Sequence, residues 1–399
     1  MSELKKLGDY IRQVDIRNRD LSVNRLLGLS INKCFIESIA NTIGTDFKSY
    51  KVVKKDQFAY GPVTSRNGEK ITIALLEEPE CIISSSYSVF EIIDDSKLLP
   101  EYLMLWFLRP DFDRYARYKS HGSVREIFDW EEMCRVELPV PPLEEQQKIV
   151  DAYNAVENRI KIKQKINEKL IELGKNVVNQ IFNPSLLLNY TDNELEEIKD
   201  RLNVSMKIQS VKDFCKEMKS GSTPSRTETD YWQNGIIPWL KSGEVHNNVT
   251  ISVEEFITKK ALNETSTKLL PKDTVLMAMY GVTAGEVGYL NIEATTNQAV
   301  CGMICKNLND SAYLYFVLLA NQKEISLMSN GGAQNNLSKD FIEKLLLVVP
   351  DEKVRSKTDL AKIIQNLKNN YQEIEKLARL KQLLVSQIAN RQREENDNA

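Results

Sequence analysis

The sequence predicts an α+β protein: two pseudo-symmetric globular domains of mixed α/β content joined by two long antiparallel coiled-coil-like helices. Three observations carry that prediction. The same ordered features return about 210 residues apart, which is a duplicated domain rather than a stacked short repeat. Each copy is followed by a proline-marked passage into a segment of about 35 to 40 residues with one apolar stripe at helical spacing. The remaining segments mix short β-branched runs with few helices, as an α+β domain does.

At 399 residues the chain is too long for one ordinary core, and 42% hydrophobic with 27% charged residues is a normal globular balance. The boundaries read as a first domain over 1–142, a spacer helix over 143–183, a linker over 184–204, a second domain over 205–350, a second spacer helix over 351–393 and a disordered tail over 394–399.

In the first domain Ile71–Leu76, Cys81–Ser84 and Val89–Ile93 are β-branched and bounded by turn residues, so they read as strands. The repeat begins weakly, with Leu7-Gly8-Asp9-Tyr10 echoed by Val211-Lys212-Asp213-Phe214 and Lys55-Asp56 by Lys272-Asp273. It is clearest at Tyr102–Leu108 against Tyr313–Leu319, which reads as one amphipathic helix written twice. A glycine-containing loop follows in each half, Ser120–Arg125 and Ser329–Gln334, then one large apolar residue, Phe128 or Leu337. Apolar strands ending in proline come next, Val136–Pro142 and Leu345–Pro350, and proline suits the end of a strand and the opening of a helix.

The first long helix carries Ile149, Tyr153, Val156, Ile160, Ile166, Leu170, Leu173, Val177 and Ile181 on one stripe; the second carries Leu360, Ile363, Leu367, Tyr371, Ile374, Leu377, Leu380, Leu384 and Ile388. Neither stripe is wide enough to be buried alone, so the two helices are expected to pack on each other. At about 1.5 Å per residue each would be on the order of 50 to 60 Å long, more than one turn of DNA, and could serve as a spacer. The same periodicity also suits a helical dimerisation arm. Asn183-Pro184 breaks the first helix, and the acidic stretch Asp192–Asp200 reads as a short surface helix or linker.

Composition limits the partners. The N-terminus lacks the apolar core of a signal peptide and no run approaches the roughly 20 apolar residues that span a bilayer, so a cytoplasmic protein without membrane association is expected. Six scattered cysteines read as reduced thiols, and Cys301 with Cys305 is half a zinc site at best. With 53 Lys plus Arg against 56 Asp plus Glu, the net charge of −3 leaves any nucleic-acid face local; if DNA is the ligand, partner subunits are expected to supply part of the phosphate contact.

The segment Leu138-Pro139-Val140-Pro141-Pro142-Leu143-Glu144-Glu145-Gln146-Gln147-Lys148-Ile149 resembles the passage from recognition domain to spacer helix in the Type I restriction specificity subunits. Ser220-Gly221-Ser222-Thr223-Pro224-Ser225-Arg226, then Tyr231-Trp232, Ile237-Pro238-Trp239-Leu240 and Thr296-Asn297-Gln298-Ala299, resemble the start and middle of that family's recognition domain. Tyr60-Gly61-Pro62 and Gly122-Ser123-Val124-Arg125-Glu126 look like a different branch of the same domain. The second half departs from the pattern at Pro350-Asp351-Glu352-Lys353, where the double proline and the Gln-Gln signature are missing.

The resemblance implies a non-catalytic subunit that reads a bipartite, asymmetric target in double-stranded DNA. It also implies two modification subunits docked on the spacer helices, methylating adenine N6 with S-adenosylmethionine, and restriction/translocase subunits using ATP and Mg. On that reading Ile149, Tyr153, Val156, Ile160, Leu367, Tyr371 and Ile374 mark the partner-binding helices. No cofactor is expected in this chain: the sequence holds neither an Asn/Asp-Pro-Pro-Tyr/Phe loop nor a phosphate-cradling glycine loop, and Asp351-Glu352-Lys353 reads as helix-start charge.

For base reading the useful groups are donors and acceptors on exposed loops. Candidates are Ser65, Arg66, Asn67, Ser123 and Arg125 in the first domain, where an ordinary solvated hairpin turn would look the same. In the second they are Thr223, Ser225, Arg226, Lys241, Thr283, Gln334 and Asn336. Gly221 and Pro224 are expected to shape their loop, and Trp239 and Tyr231 fit core aromatics better than base stackers.

Overall fold

The computed structural model describes residues 4–38, 44–65, 68–122, 126–181, 183, 185–188, 190–202, 205–328 and 336–396, with side chains to residue 388. Two compact units emerge, one made of 1–160 with 377–399, the other of 161–376.

In the first unit a four-stranded antiparallel sheet runs in the order Ile11–Val14, Ser88–Ile92, Phe58–Tyr60, Ile73–Leu75. The helix Pro100–Phe107 opens on a proline, whose missing N–H costs nothing at a helix start, and buries Tyr102, Leu103 and Phe107 over that sheet. Phe58 stacks on Phe90 at 4.9 Å with Phe107 edge-on at 5.8 Å, so the core is an aromatic cluster. Val150 and Ile388, one from each long helix, complete it.

The second unit is built on the same frame with more strands. Five strands run in the order Glu217–Ser220, Val300–Ile304, Val275–Ala278, Val287–Leu290, Val249–Thr250, the last pair parallel. The helix Leu308–Ala320, capped by Asn307, is buried along nearly its whole length, and Leu360, Ile363, Ile364 and Leu367 of the second long helix join its core. A smaller sheet, Glu255–Ile257, Ile237–Leu240 and Thr295–Thr296, carries Trp239 inward. Leu346–Pro350 pairs with Leu186–Leu187 and Met206–Ser210.

The duplication extends to individual bonds. Asp56 and Asp273 both take a φ of 66°, in the left-handed region Asp tolerates, and donate their amides to Leu76 O and Leu290 O. Tyr102 Oη donates to Pro139 O, Tyr313 Oη to Val348 O, tying each repeated helix to the strand before a long helix. Phe128 N donates to Pro62 O and Leu337 N to Met279 O, so each large apolar residue is bonded to the chain just beyond an equivalent strand, Phe58–Tyr60 or Val275–Ala278.

The long helices span Leu143–Ile181 and Leu360–Asn396 and run antiparallel within each unit. In the first, Lys381 Nζ lies 2.7 Å from Glu157 and over the Tyr153 ring; in the second, Asn370 meets Asn167 and Lys163 meets Glu373. Two expectations are corrected. The second helix starts at Leu360, not at residue 351, because Glu352–Arg355 forms its own turn and Arg355 points inward to Asp310 and Pro350 O. It also continues through Asn396, into the stretch expected to be a disordered tail. The stripe is corrected as well: Ile166, Leu173 and Leu380 are exposed, while the buried seam of the first helix passes through Ile160, Asn167, Gly174 and Val178.

The linker holds a surface helix, Asp192–Arg201, closed by a capping box between Thr191 and Glu194. All six cysteines are free, Cys301 is buried, and among the described residues no group of three or more metal-ligating side chains converges. No helix of the described residues is long and apolar enough to cross a membrane.

Candidate nucleic-acid interface

In the first unit the described residues that flank the two candidate segments are bonded to each other. Thr64 N donates to Glu126 O at 3.0 Å, Thr64 Oγ1 lies 2.9 Å from Ser120 Oγ, and His121 and Ile127 exchange backbone bonds. Ser65 is exposed at this junction. Arg66, Asn67, Ser123 and Arg125 lie outside the described residues, as does Gln334 in the second unit.

The helix feeding that junction, Pro110–Lys119, was not singled out in the sequence, yet it carries Arg114, Arg117 and Lys119 beside Tyr118, which is 80% exposed. Arg114 pairs with Asp111 and Arg117 with Glu126. Its position just before the Ser120–Arg125 loop was readable, but nothing in the sequence places it beside the segment that follows Thr64.

In the second unit the candidates form one connected surface. Thr223 Oγ1 donates to Gln298 Oε1 at 2.6 Å, and Asn297 N to Leu240 O at 3.0 Å, which sets the Thr223 loop beside Lys241. Lys241 continues into the turn Ser242–Glu244, whose Ser242 O lies 3.4 Å from Thr283 Oγ1. Tyr280, at the base of the Gly281–Thr283 turn, bridges to Asn336. Val282, 99% exposed, sits at the tip of that turn. Gly221 admits no side chain: an added Cβ would lie 2.0 Å from Thr296 O, so this glycine brings its loop against the Thr296-Asn297 backbone.

Arg226 and Lys241 meet on one carboxylate. Arg226 Nη1 is 2.5 Å from Glu255 Oε2, Lys241 Nζ is 3.2 Å from Glu255 Oε1 and 2.7 Å from Glu254. The Arg226 hydrogen bond, aided by Lys241, holds the Glu255 carboxyl below its ordinary range, and Glu254 with Glu255 raises the Lys241 ammonium above its own. Ser225 Oγ bonds Thr227 Oγ1 at 2.7 Å. Trp239 is buried and Tyr231 half-buried with its hydroxyl on Glu264, which fits the reading of both as packing residues. Sequence reading named Gln298 and Trp232 only as marks of the resemblance and missed Glu255; Trp232 packs edge-on against Trp239.

The helix residues taken as partner-binding are committed elsewhere. Leu367 and Ile160 are buried, and Ile149, Tyr153 and Tyr371 pack against the chain's own cores. Val156 and Ile374 are only partly exposed. Among the described residues, the large apolar side chains that the long helices leave exposed are Ile162, Ile166 and Leu173 in the second unit and Leu380 and Leu383 in the first.

Polar segments carried on a frame that repeats its own bonds define a protein with two related recognition surfaces. The chain belongs to the Type I restriction modification DNA specificity domain family, whose model matches residues 33–172 and 203–384, and is therefore a non-catalytic specificity component of such a system. It is 24% identical over 325 residues to the MjaIX specificity subunit of Methanocaldococcus jannaschii, covering 79% of this chain and 73% of that one. It is 20% identical to the HindI specificity subunit of Haemophilus influenzae, over 96% of this chain and 94% of that one. In three dimensions it is similar to the S subunit of a Type I restriction-modification system from M. genitalium, with a TM-score of 0.56, 13% identity and coverage of 97% and 95% of the two chains, which establishes the shared fold.

Proposed function

We propose that this chain reads a bipartite, asymmetric site in double-stranded DNA, one half-site through each unit, and directs adenine-N6 methylation and restriction by partner subunits. The observation that carries this reading is the duplicated frame: Tyr102 and Tyr313, Asp56 and Asp273, Phe128 and Leu337 repeat their bonds, while the polar loops set on that frame differ. Two readers of one architecture with unlike loops are suited to two unlike sequences.

The long helices then serve as the spacer, and two modification subunits dock on them. The exposed apolar residues Ile162, Ile166 and Leu173, spaced by four and seven on one face of the first helix, support that docking. S-adenosylmethionine belongs to the modification subunits, and ATP with Mg to restriction/translocase subunits. A net charge of −3 fits a chain that holds DNA well only in such a complex.

Exchanging residues 205–350 for the corresponding segment of a relative with another specificity tests this reading. One half of the methylated motif should change and the other persist. A motif altered in both halves, or in neither, contradicts it.

A further inference from the structure

The guanidinium of Arg226 is held in a fixed plane. Its carbon lies 3.7 Å from the centroid of the Trp232 ring and 5.0 Å from that of Trp239, and Glu255 takes Nη1 at 2.5 Å. The rings are themselves anchored: Trp232 Nε1 donates to Ser225 O and Trp239 Nε1 to Ser222 O, both at 3.0 Å, and the two rings stand at 89° to each other. Glu255 sits in the strand register directly opposite Trp239, so the carboxylate and the Trp239 ring are placed by one sheet. The Arg226 side chain nevertheless remains 52% exposed.

A residue that only neutralises phosphate gains little from such an arrangement, since a mobile, hydrated ammonium serves as a point charge. Fixing the plane and rotation of a guanidinium matters when its fork must match two acceptors at once. Two oxygens of one phosphate offer such a pair anywhere along duplex DNA, and among the base edges the pair is O6 and N7 of guanine in the major groove. Cation–π stacking and one charge-assisted bond also lower the entropy lost when the remaining donors engage a base.

We infer that Arg226 reads a guanine in the half-site of the second unit and that Glu255 is its positioning residue, setting the guanidinium plane on Trp232 while also holding Lys241 beside it. This rests on the proposed function, and adds the base and the residue pair. Lys241, tied to both Glu254 and Glu255, then lies where it can reach the adjacent backbone phosphate.

The test is methylome sequencing of the host with Arg226→Lys and Glu255→Gln introduced at the native locus. Arg226→Lys keeps the charge and loses the fork. Methylation should spread roughly 10- to 100-fold more to sites lacking one particular guanine, with the rest of the motif intact. Glu255→Gln should relax the same position to a smaller degree. An unchanged motif in both variants overturns the inference, as does a uniform fall at all sites in both, which would make Arg226 a contributor to affinity or folding alone. If Arg226→Lys abolishes methylation outright, Glu255→Gln decides: relaxation at a single guanine upholds the inference, and any other pattern overturns it. Failure of the broader reading is a separate result, because the wild-type strain would then show no motif that depends on this gene.

Discussion

Asn370 Nδ2 donates a 2.8 Å hydrogen bond to Asn167 Oδ1, joining the two long helices through a pair of buried amides. Lys163 Nζ adds a 2.9 Å bond to Asn370 Oδ1 and lies 2.9 Å from Glu373. A polar layer in an otherwise apolar seam costs stability but makes one register better than its neighbours, since any slip leaves the amides unpaired.

Replacing one member should therefore be worse than replacing both. Asn167→Leu strands the Asn370 amide and is expected to cost about 1–3 kcal/mol, whereas Asn167→Leu with Asn370→Leu should be neutral or stabilising. Urea denaturation of the three proteins checks this; a double variant less stable than the single one contradicts it.

Gly174 lies inside the first long helix, about two turns before its C-terminal end, where alanine would ordinarily be better by about 1 kcal/mol. Here a Cβ would fall 2.2 Å from the Phe316 ring, so Gly174→Ala should destabilise by about 1–3 kcal/mol through overpacking. A raised melting temperature would show that the helix does not approach Phe316 so closely.

Arg355 and Asp310 form a buried pair at 2.7 Å, with Arg355 also bonded to Pro350 O and over the Phe214 ring. Asp310→Ala leaves that guanidinium without its carboxylate and should cost about 3–5 kcal/mol. Calorimetry of the variant reads it directly, and a loss below about 1 kcal/mol would mean that Arg355 finds water instead.

Glu255 gives a pH signature. Its carboxyl is held below the ordinary value of 4.5, so its folded-state value is lower than its unfolded one. The stabilisation is present above the unfolded value and lost as pH falls through the depressed one. The stability gap between wild type and Glu255→Gln should thus be largest near neutrality and close as pH falls through and below the ordinary carboxylate range. A gap that stays constant over that range refutes the assignment.

The frame was legible in the sequence because its marks are local identities in order: Lys55-Asp56 with Lys272-Asp273, Tyr102 with Tyr313, and the prolines ending both strands. The helical seam was legible only in outline. A stripe counted from apolar residues passes over Asn167 and Gly174, which pack because an amide partner and a ring face them, and it claims Ile166 and Leu173, which lie outside. The candidate loops were recognisable by composition, but not the pairing of Arg226 with Glu255 or of Tyr280 with Asn336. Those contacts join residues far apart in sequence, and only strand register places them together.

The central claim, that this chain supplies sequence recognition for methylation, is tested most directly by long-read sequencing of host DNA with and without its gene. The account predicts that methyl-adenine disappears from one bipartite, asymmetric motif and from no other. An unchanged pattern of methylation after deletion would contradict it.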